Sequence, residues 1–153
     1  MPVPHLQCAA SLIFNTAGQV LLVRQNYGAH RWGAPGGSAE MGETPMDTAC
    51  REAQEEIGVQ IKLLQVVGVY LLRGGGWPDM LAHVFLARVL VGEPRIVDPS
   101  ETLELAWTPL DRLPAEMTHD IGAALDDFRA RRYGAVRVVE RRHPMPPYPF
   151  QPS

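Results

Sequence analysis

Cysteine is scarce in this chain. Cys8 and Cys50 are the only two in 153 residues, too few for a disulfide framework and without zinc-ligand spacing. A stapled secreted scaffold and a zinc module are thereby excluded, and a reducing, cytoplasmic setting is expected. Net charge is scarce as well: a formal charge of -3 exerts no global pull on nucleic acid or an anionic membrane. Long apolar runs are missing too. The opening MPVPHLQCAASLIF has no basic leader, and its apolar stretch is broken by Asn15 and Gly18, too short for a signal core or a membrane span. There is no internal repeat. With 46% hydrophobic and 20% charged residues, what is present is a chain of soluble, globular composition, long enough to bury a core.

Residues 7 to 14 and 19 to 25 are two β-rich runs around the turn-forming NTAG, and they read as a hairpin. NYGAHRWGAPGG follows as a polar, glycine-rich loop with room for a ligand. A helix is predicted next: Thr44 as N-cap, Pro45 at the first helical position, Asp47 completing a capping box and Gly58 ending it in the left-handed conformation. VQIKLLQVVGVYLLR and DMLAHVFLARVL are long β-leaning runs joined by GGGWP, and the second, apolar on both faces, has the character of a central strand. LELAWTPL supplies another short strand, with a turn at DRLP and a helix from about Met117 to Arg132. The sum is α/β, a mixed sheet with helices. From Tyr133 the chain changes to a basic β-like segment and then a proline-rich tail, which divides it into a domain over residues 1–132 and an extension over 133–153. The five arginines from Arg129 to Arg141 read as a solvated surface.

The predicted helix is heavily acidic. Ala49, Ala53, Ile57, Met46 and Cys50 share one arc of its wheel, whereas Glu52, Glu55 and Glu56 occupy another. Carboxylates three and four residues apart lie about 5–6 Å from one another and repel. Three readings remain open for this face: plain solvation, compensation by Arg51 bridging Glu55 and Glu43, or a hard divalent cation seeking clustered oxygen ligands. The preceding Gly36-Gly37 turn, which lets backbone carbonyls approach an ion, favours the cation.

The stretch GGSAEMGETPMDTACREAQEEIGV resembles the signature of the Nudix hydrolases, with Gly37, Glu43, Arg51, Glu52, Glu55, Glu56, Gly58 and Val59 at the fixed positions and a small Ala53 at an aliphatic one. The likeness extends over roughly residues 6 to 130. It implies an α/β/α sandwich around a mixed sheet. It also implies metal-assisted attack of water on a nucleoside diphosphate linked to another group, with Mg²⁺ or Mn²⁺ as cofactor. By the same resemblance Glu52, Glu55 and Glu56 are ligands together with the Gly36 carbonyl, Arg51 orients Glu52, and Glu43 is bonded to Arg51.

Outside the signature, Glu101 is the expected additional carboxylate, with Glu104 as the alternative, and Arg24 is a candidate phosphate contact through its bidentate fork. Trp32, Tyr27, Tyr70 and Trp77 are the aromatics placed to stack on a base or, equally, to pack, and Trp32 is carried forward as a substrate contact. His83 reads as a sheet histidine and His119 as a weak base contact. The expected substrate is a small nucleotide, with a lean towards nucleoside triphosphates, damaged ones included. ADP-ribose or a nucleotide sugar is the alternative. A nucleotide-sensing domain is a third reading, but there is no room for a helix-turn-helix. Nucleic acid and membrane are not expected partners, while the extended tail suits a homodimer.

Overall fold

The helix that carries the acidic face begins and ends where its caps dictate. In the computed structural model, which describes residues 6–142 and 145, α1 spans Pro45–Ile57. Thr44 Oγ1 accepts from the Asp47 N–H (3.1 Å) and Asp47 accepts from the Thr44 N–H (3.0 Å), a complete capping box. Gly58, at φ 71°, turns the chain out and donates to the Ala53 and Gln54 carbonyls. The second helix, α2 (His119–Arg129), is shorter than the sequence suggests, because the chain leaves helical geometry at Ala130 and Arg131 enters the left-handed region at φ 58°.

Eight strands accompany the helices: β1 (Leu6–Ile13), β2 (Val20–Gln25), β3 (Trp32–Gly33), β4 (Gly36–Ser38), β5 (Gln60–Arg73), β6 (Met80–Val91), β7 (Thr102–Thr108) and β8 (Ala135–Glu140). They form a five-stranded mixed sheet ordered β4-β1-β6-β5-β8 and a three-stranded sheet ordered β3-β2-β7. β6 is central, as its two apolar faces require. A 3-10 turn over Leu110–Arg112 takes the place read as a turn at DRLP.

The expected β1–β2 hairpin is not formed. Both edges of β1 are already occupied, by antiparallel β4 and by parallel β6, so β2 passes into the other sheet and meets the end of β1 only at the Phe14–Val20 bridge. The intervening turn is nonetheless the one NTAG specifies: Asn15 Oδ1 accepts from the Ala17 and Gln19 N–H groups, and Gly18 takes φ 75°. Alternation along β1 and β6 separates two cores. Ala10, Leu12, Ala82 and Val84 pack with Ile121, Ala124 and Leu125 of α2, whereas Ala9, Ile13, Phe85 and Ala87 face the α1 side with Ala49, Ala53 and Ile57. The result is an α/β/α sandwich. Among the described residues no helix is long and apolar enough to cross a membrane.

The basic segment after Tyr133 is part of this framework, since β8 pairs in parallel with β5 from Gly68/Ala135 to Arg73/Glu140. Its anchor is Asp127, fully buried on α2. That carboxylate accepts from the Tyr70 hydroxyl (2.8 Å), Arg132 Nε (2.9 Å) and Arg137 Nε (3.2 Å), and the Arg137 guanidinium lies over the Tyr70 ring. Asp127→Ala is expected to destabilise the protein by about 2 kcal/mol in urea denaturation. This is less than the ~3–5 kcal/mol of a fully buried pair, because both arginines keep water contact and the main loss is the orphaned Tyr70 hydroxyl. A shift below about 0.5 kcal/mol, the scale of ordinary surface substitutions, would show that Asp127 does not anchor β8.

Candidate active site

The charge on α1 is organised by one guanidinium. Arg51 grips Glu43 with two parallel bonds, Nε to Oε2 at 2.7 Å and Nη2 to Oε1 at 3.0 Å. Its Nη1 donates to Glu52 (2.9 Å) and Glu55 (3.0 Å), and Nη2 also reaches the Ser38 carbonyl (2.9 Å). Glu43 further accepts from the Glu40 N–H and the Thr48 hydroxyl. The bond from Arg51, reinforced by these donors, holds the Glu43 carboxyl down at about 2. The helix face is thus joined to β4 and to the loop before α1.

Glycine at positions 36 and 37 has a steric reason. A Cβ on Gly36 would collide with the Ala9 carbonyl and with Ala10, and one on Gly37 would collide with the Glu52 carboxylate. Gly36 also donates its N–H to Glu56 Oε2 at 3.2 Å. Glycine at both positions lets the strand and the acidic helix close on each other.

Beside them opens a cavity of about 620 Å³, lined at one end by Gly36, Gly37, Glu52, Glu56 and Glu101. Glu56 is pushed up to about 8, first by burial and then by Glu52 and Glu101, against the pull of the Gly36 N–H. Burial also raises Glu52, opposed by Arg51. Tyr27, in the loop after β2, is raised to about 12 by burial and by the charges of Glu56, Glu101 and Glu52. Glu52, Glu56 and Glu101 face one another through a common space, and the charges of Glu52 and Glu101 add to the burial that raises Glu56. An all-oxygen donor set in that condition fits a hard divalent cation. Among the described residues no three acidic, histidine or cysteine groups already converge at ligand spacing. Glu55 in particular is turned to Arg51, more than half exposed, and does not line the cavity.

Glu101 lines the cavity as expected, whereas Glu104 lies across from Arg24 in the β2–β7 register and pairs with it at 3.8 Å. That pairing corrects the reading of Arg24. Val23 and Gln25 line the cavity, so strand alternation turns Arg24 away from it, and its Nε donates to the His30 carbonyl. Trp32 is corrected likewise: it packs against the α2-side core, and its neighbours Arg31 and Gly33 line the cavity instead. Arg31 donates from Nη1 to the Met117 carbonyl (3.3 Å), and its buried Nε has no hydrogen-bond partner among the described residues. Tyr70 is wholly buried, so of the four aromatics only Tyr27 and Trp77 line the cavity. His119 lines it too, beside Asp120 at the start of α2, whose carboxyl burial raises. Asp120, Arg31 and Arg141 carry no sequence signal, since strand phase and chain crossing alone bring them here.

The family model of the NUDIX domain matches residues 4–128. The chain belongs to the Nudix family. A putative 8-oxo-dGTP diphosphatase of Bacillus subtilis is 30% identical over 82% of this chain and 80% of its own length. A nucleoside triphosphate pyrophosphatase/Nudix hydrolase fusion protein of Bifidobacterium longum is 35% identical over 54% of this chain, which spans only 17% of that relative. Among solved structures, a MutT Nudix hydrolase from Burkholderia pseudomallei superposes with a TM-score of 0.77 at 30% identity, covering 82% of this chain and 98% of the other. This Nudix protein is therefore a hydrolase of a family whose members act on small nucleotides with divalent metal ions.

Glu56 supplies a pH signature for the metal-free Nudix fold. Its folded carboxyl sits at about 8, above its ordinary value of 4.5. Because the folded value is the higher, the contribution of Glu56 to stability is complete below 4.5 and is lost as pH rises through 8. Melting curves taken in chelator are expected to shift to lower temperature between about pH 5 and pH 9, and Glu56→Gln to remove most of that slope. An unchanged slope in the variant would contradict a buried, electrostatically crowded Glu56.

Proposed function

We propose that the protein hydrolyses nucleoside triphosphates, oxidised purine forms included, to the monophosphate and pyrophosphate, with Mg²⁺ or Mn²⁺ as the metal. One observation carries this reading: a single cavity of about 620 Å³ runs from three carboxylates to an apolar end with Asp120 in its wall. That volume lies within the range of small-molecule pockets, and its shape suits one base, its sugar and its phosphates. The name of the Bacillus subtilis relative, which covers most of both chains, points the same way.

The Gly36 carbonyl, Glu52, Glu56 and Glu101 are the groups that would hold the metal, and Glu55 would join them on releasing Arg51. A divalent ion there neutralises phosphate oxygens and lowers the pKa of bound water. Arg51 keeps the Glu52 carboxylate on the cavity side. Arg31, with a donor to spare, takes the phosphate role that the sequence suggested for Arg24. Asp120 presents a carboxyl to the N–H groups of a base.

The test is a product analysis with each metal over the natural triphosphates, 8-oxo-dGTP, ADP-ribose and a sugar nucleotide. Monophosphate plus pyrophosphate is the expected outcome, whereas a monophosphate plus a sugar phosphate, with the triphosphates untouched, would replace this reading by the ADP-ribose one. Glu56→Gln is expected to stay folded and lose activity by about a thousandfold, the scale of removing a group that stabilises transition-state charge. Arg31→Met is expected to raise KM about tenfold, as the loss of one charge-assisted hydrogen bond does. An unchanged KM would remove Arg31 from the phosphate site.

A further inference from the structure

Glu101 stands just ahead of β7, outside the helix that carries the other cavity carboxylates, so something other than α1 must hold it in place. The β2–β7 ladder sets its register. Arg24 pairs with Glu104, but Gln25 pairs with Thr102, which leaves Leu103 bulged out of the register and 42% exposed. A bulge re-aims the residues beyond it. Thr102, 3% exposed, lines the cavity beside Gln25. In the unshifted register Asn26 would meet Thr102. The shift of one residue brings Glu101 there instead, and the Asn26 N–H donates to the Glu101 carbonyl at 2.9 Å.

The Asn26 side chain makes a second bond to the same turn. Its Nδ2 donates to the Pro99 carbonyl at 2.9 Å. The turn is stiff in itself: Asp98 Oδ1 accepts from the Ser100 N–H (2.9 Å) and hydroxyl (2.6 Å), and the Asp98 carbonyl accepts from the N–H groups of Glu101 (3.1 Å) and Thr102 (3.0 Å). A stiff turn held at two points keeps its place relative to the residue that holds it. That residue is anchored in turn, since the Gln25 N–H donates to the Arg31 carbonyl (2.9 Å) and Arg24 pairs with Trp32. Gln25 and Tyr27 line the cavity, whereas Asn26 between them does not. It faces the turn that presents Glu101 to Glu52 and Glu56, and the charge of Glu101 is felt at both of those carboxyls.

We propose that Asn26 is a positioning residue for the metal site: through the Pro99 and Glu101 carbonyls it fixes the turn that carries the Glu101 carboxylate, without touching ion or substrate itself. The proposal rests on the assignment of Glu101 to the metal above. It adds what holds that ligand from outside the signature helix.

The experiment measures Mn²⁺ binding by calorimetry, without nucleotide, in the wild type, Asn26→Ala, Glu101→Gln and the double variant, with a melting curve for each. Asn26→Ala is expected to raise the Mn²⁺ dissociation constant about fivefold, the worth of one hydrogen bond, because the main-chain bond to Glu101 remains. Glu101→Gln is expected to weaken binding further, and the double variant to bind as Glu101→Gln does, since Asn26 acts through that carboxylate. A merely structural asparagine would lower the melting temperature and leave the Mn²⁺ affinity unmoved, which would overturn the proposal. Additive losses in the double variant would overturn it too. If Glu101→Gln binds Mn²⁺ like the wild type, the assignment of Glu101 to the metal falls and this inference with it; a loss in Glu101→Gln that Asn26→Ala does not share overturns the inference alone. Should Asn26→Ala fail to melt cooperatively, Asn26→Leu, which keeps the side chain's size without its donor, takes its place in the cycle.

Discussion

The Arg51 guanidinium is the constraint on which the site depends. An acidic helix face cannot be packed against a strand unless its repulsion is answered. Arg51 answers it from within the same helix. It takes Glu43 in a bidentate grip, steadies Glu52 and Glu55 and reaches the Ser38 carbonyl, so that helix, preceding loop and β4 form one rigid unit. Glu56, to which Arg51 does not donate, stays charged only with difficulty. One carboxylate set is thereby divided into members held by protein and members left for a cation.

The close approach of that unit to β1 follows from the absence of side chains at Gly36 and Gly37. β1 lies between the two cores and gives alternate residues to each, which places it under the cavity floor through Cys8, Ala9 and Ala10. The same strand thus supports the helices on both sides and sets the distance between the cavity's two ends. Small residues at Ala9 and Ala10 are consistent with that double duty, since bulk there would press on both β4 and the ligand space.

Local chemistry was legible in the sequence wherever it was local in fact. The Thr44–Asp47 box, Pro45 and Gly58 mark the limits of α1 to the residue, and the resemblance to the Nudix signature singles out Arg51, Glu43, Glu52 and Glu56. Glu101 was readable as an acid just ahead of a strand. The failures are nonlocal. The NTAG turn forms as written, yet no hairpin follows, because β4 and β6 claim the edges of β1. Arg24 and Arg31 are chemically alike, and only their places in the fold, one within β2 and one in the loop before β3, decide which lines the cavity. Arg141 looks like its exposed neighbours until β8 adds to β5 and carries it under Trp77 and Pro78.

The parallel pairing of β8 with β5 also fixes an order of assembly. A chain leaving the ribosome N-terminus first completes the glycine turn, the acidic helix and the central strands while the last strand is still being made. In that interval one edge of β5 is open, and the buried Asp127 awaits Arg137, the more distant in sequence of its two arginine partners. The carboxylates of the cavity, through Glu101, are therefore all in the chain before Arg141 completes its lining. A ribosome stalled before residue 141 would hold a chain able to assemble its carboxylates but not to close the space in which they work.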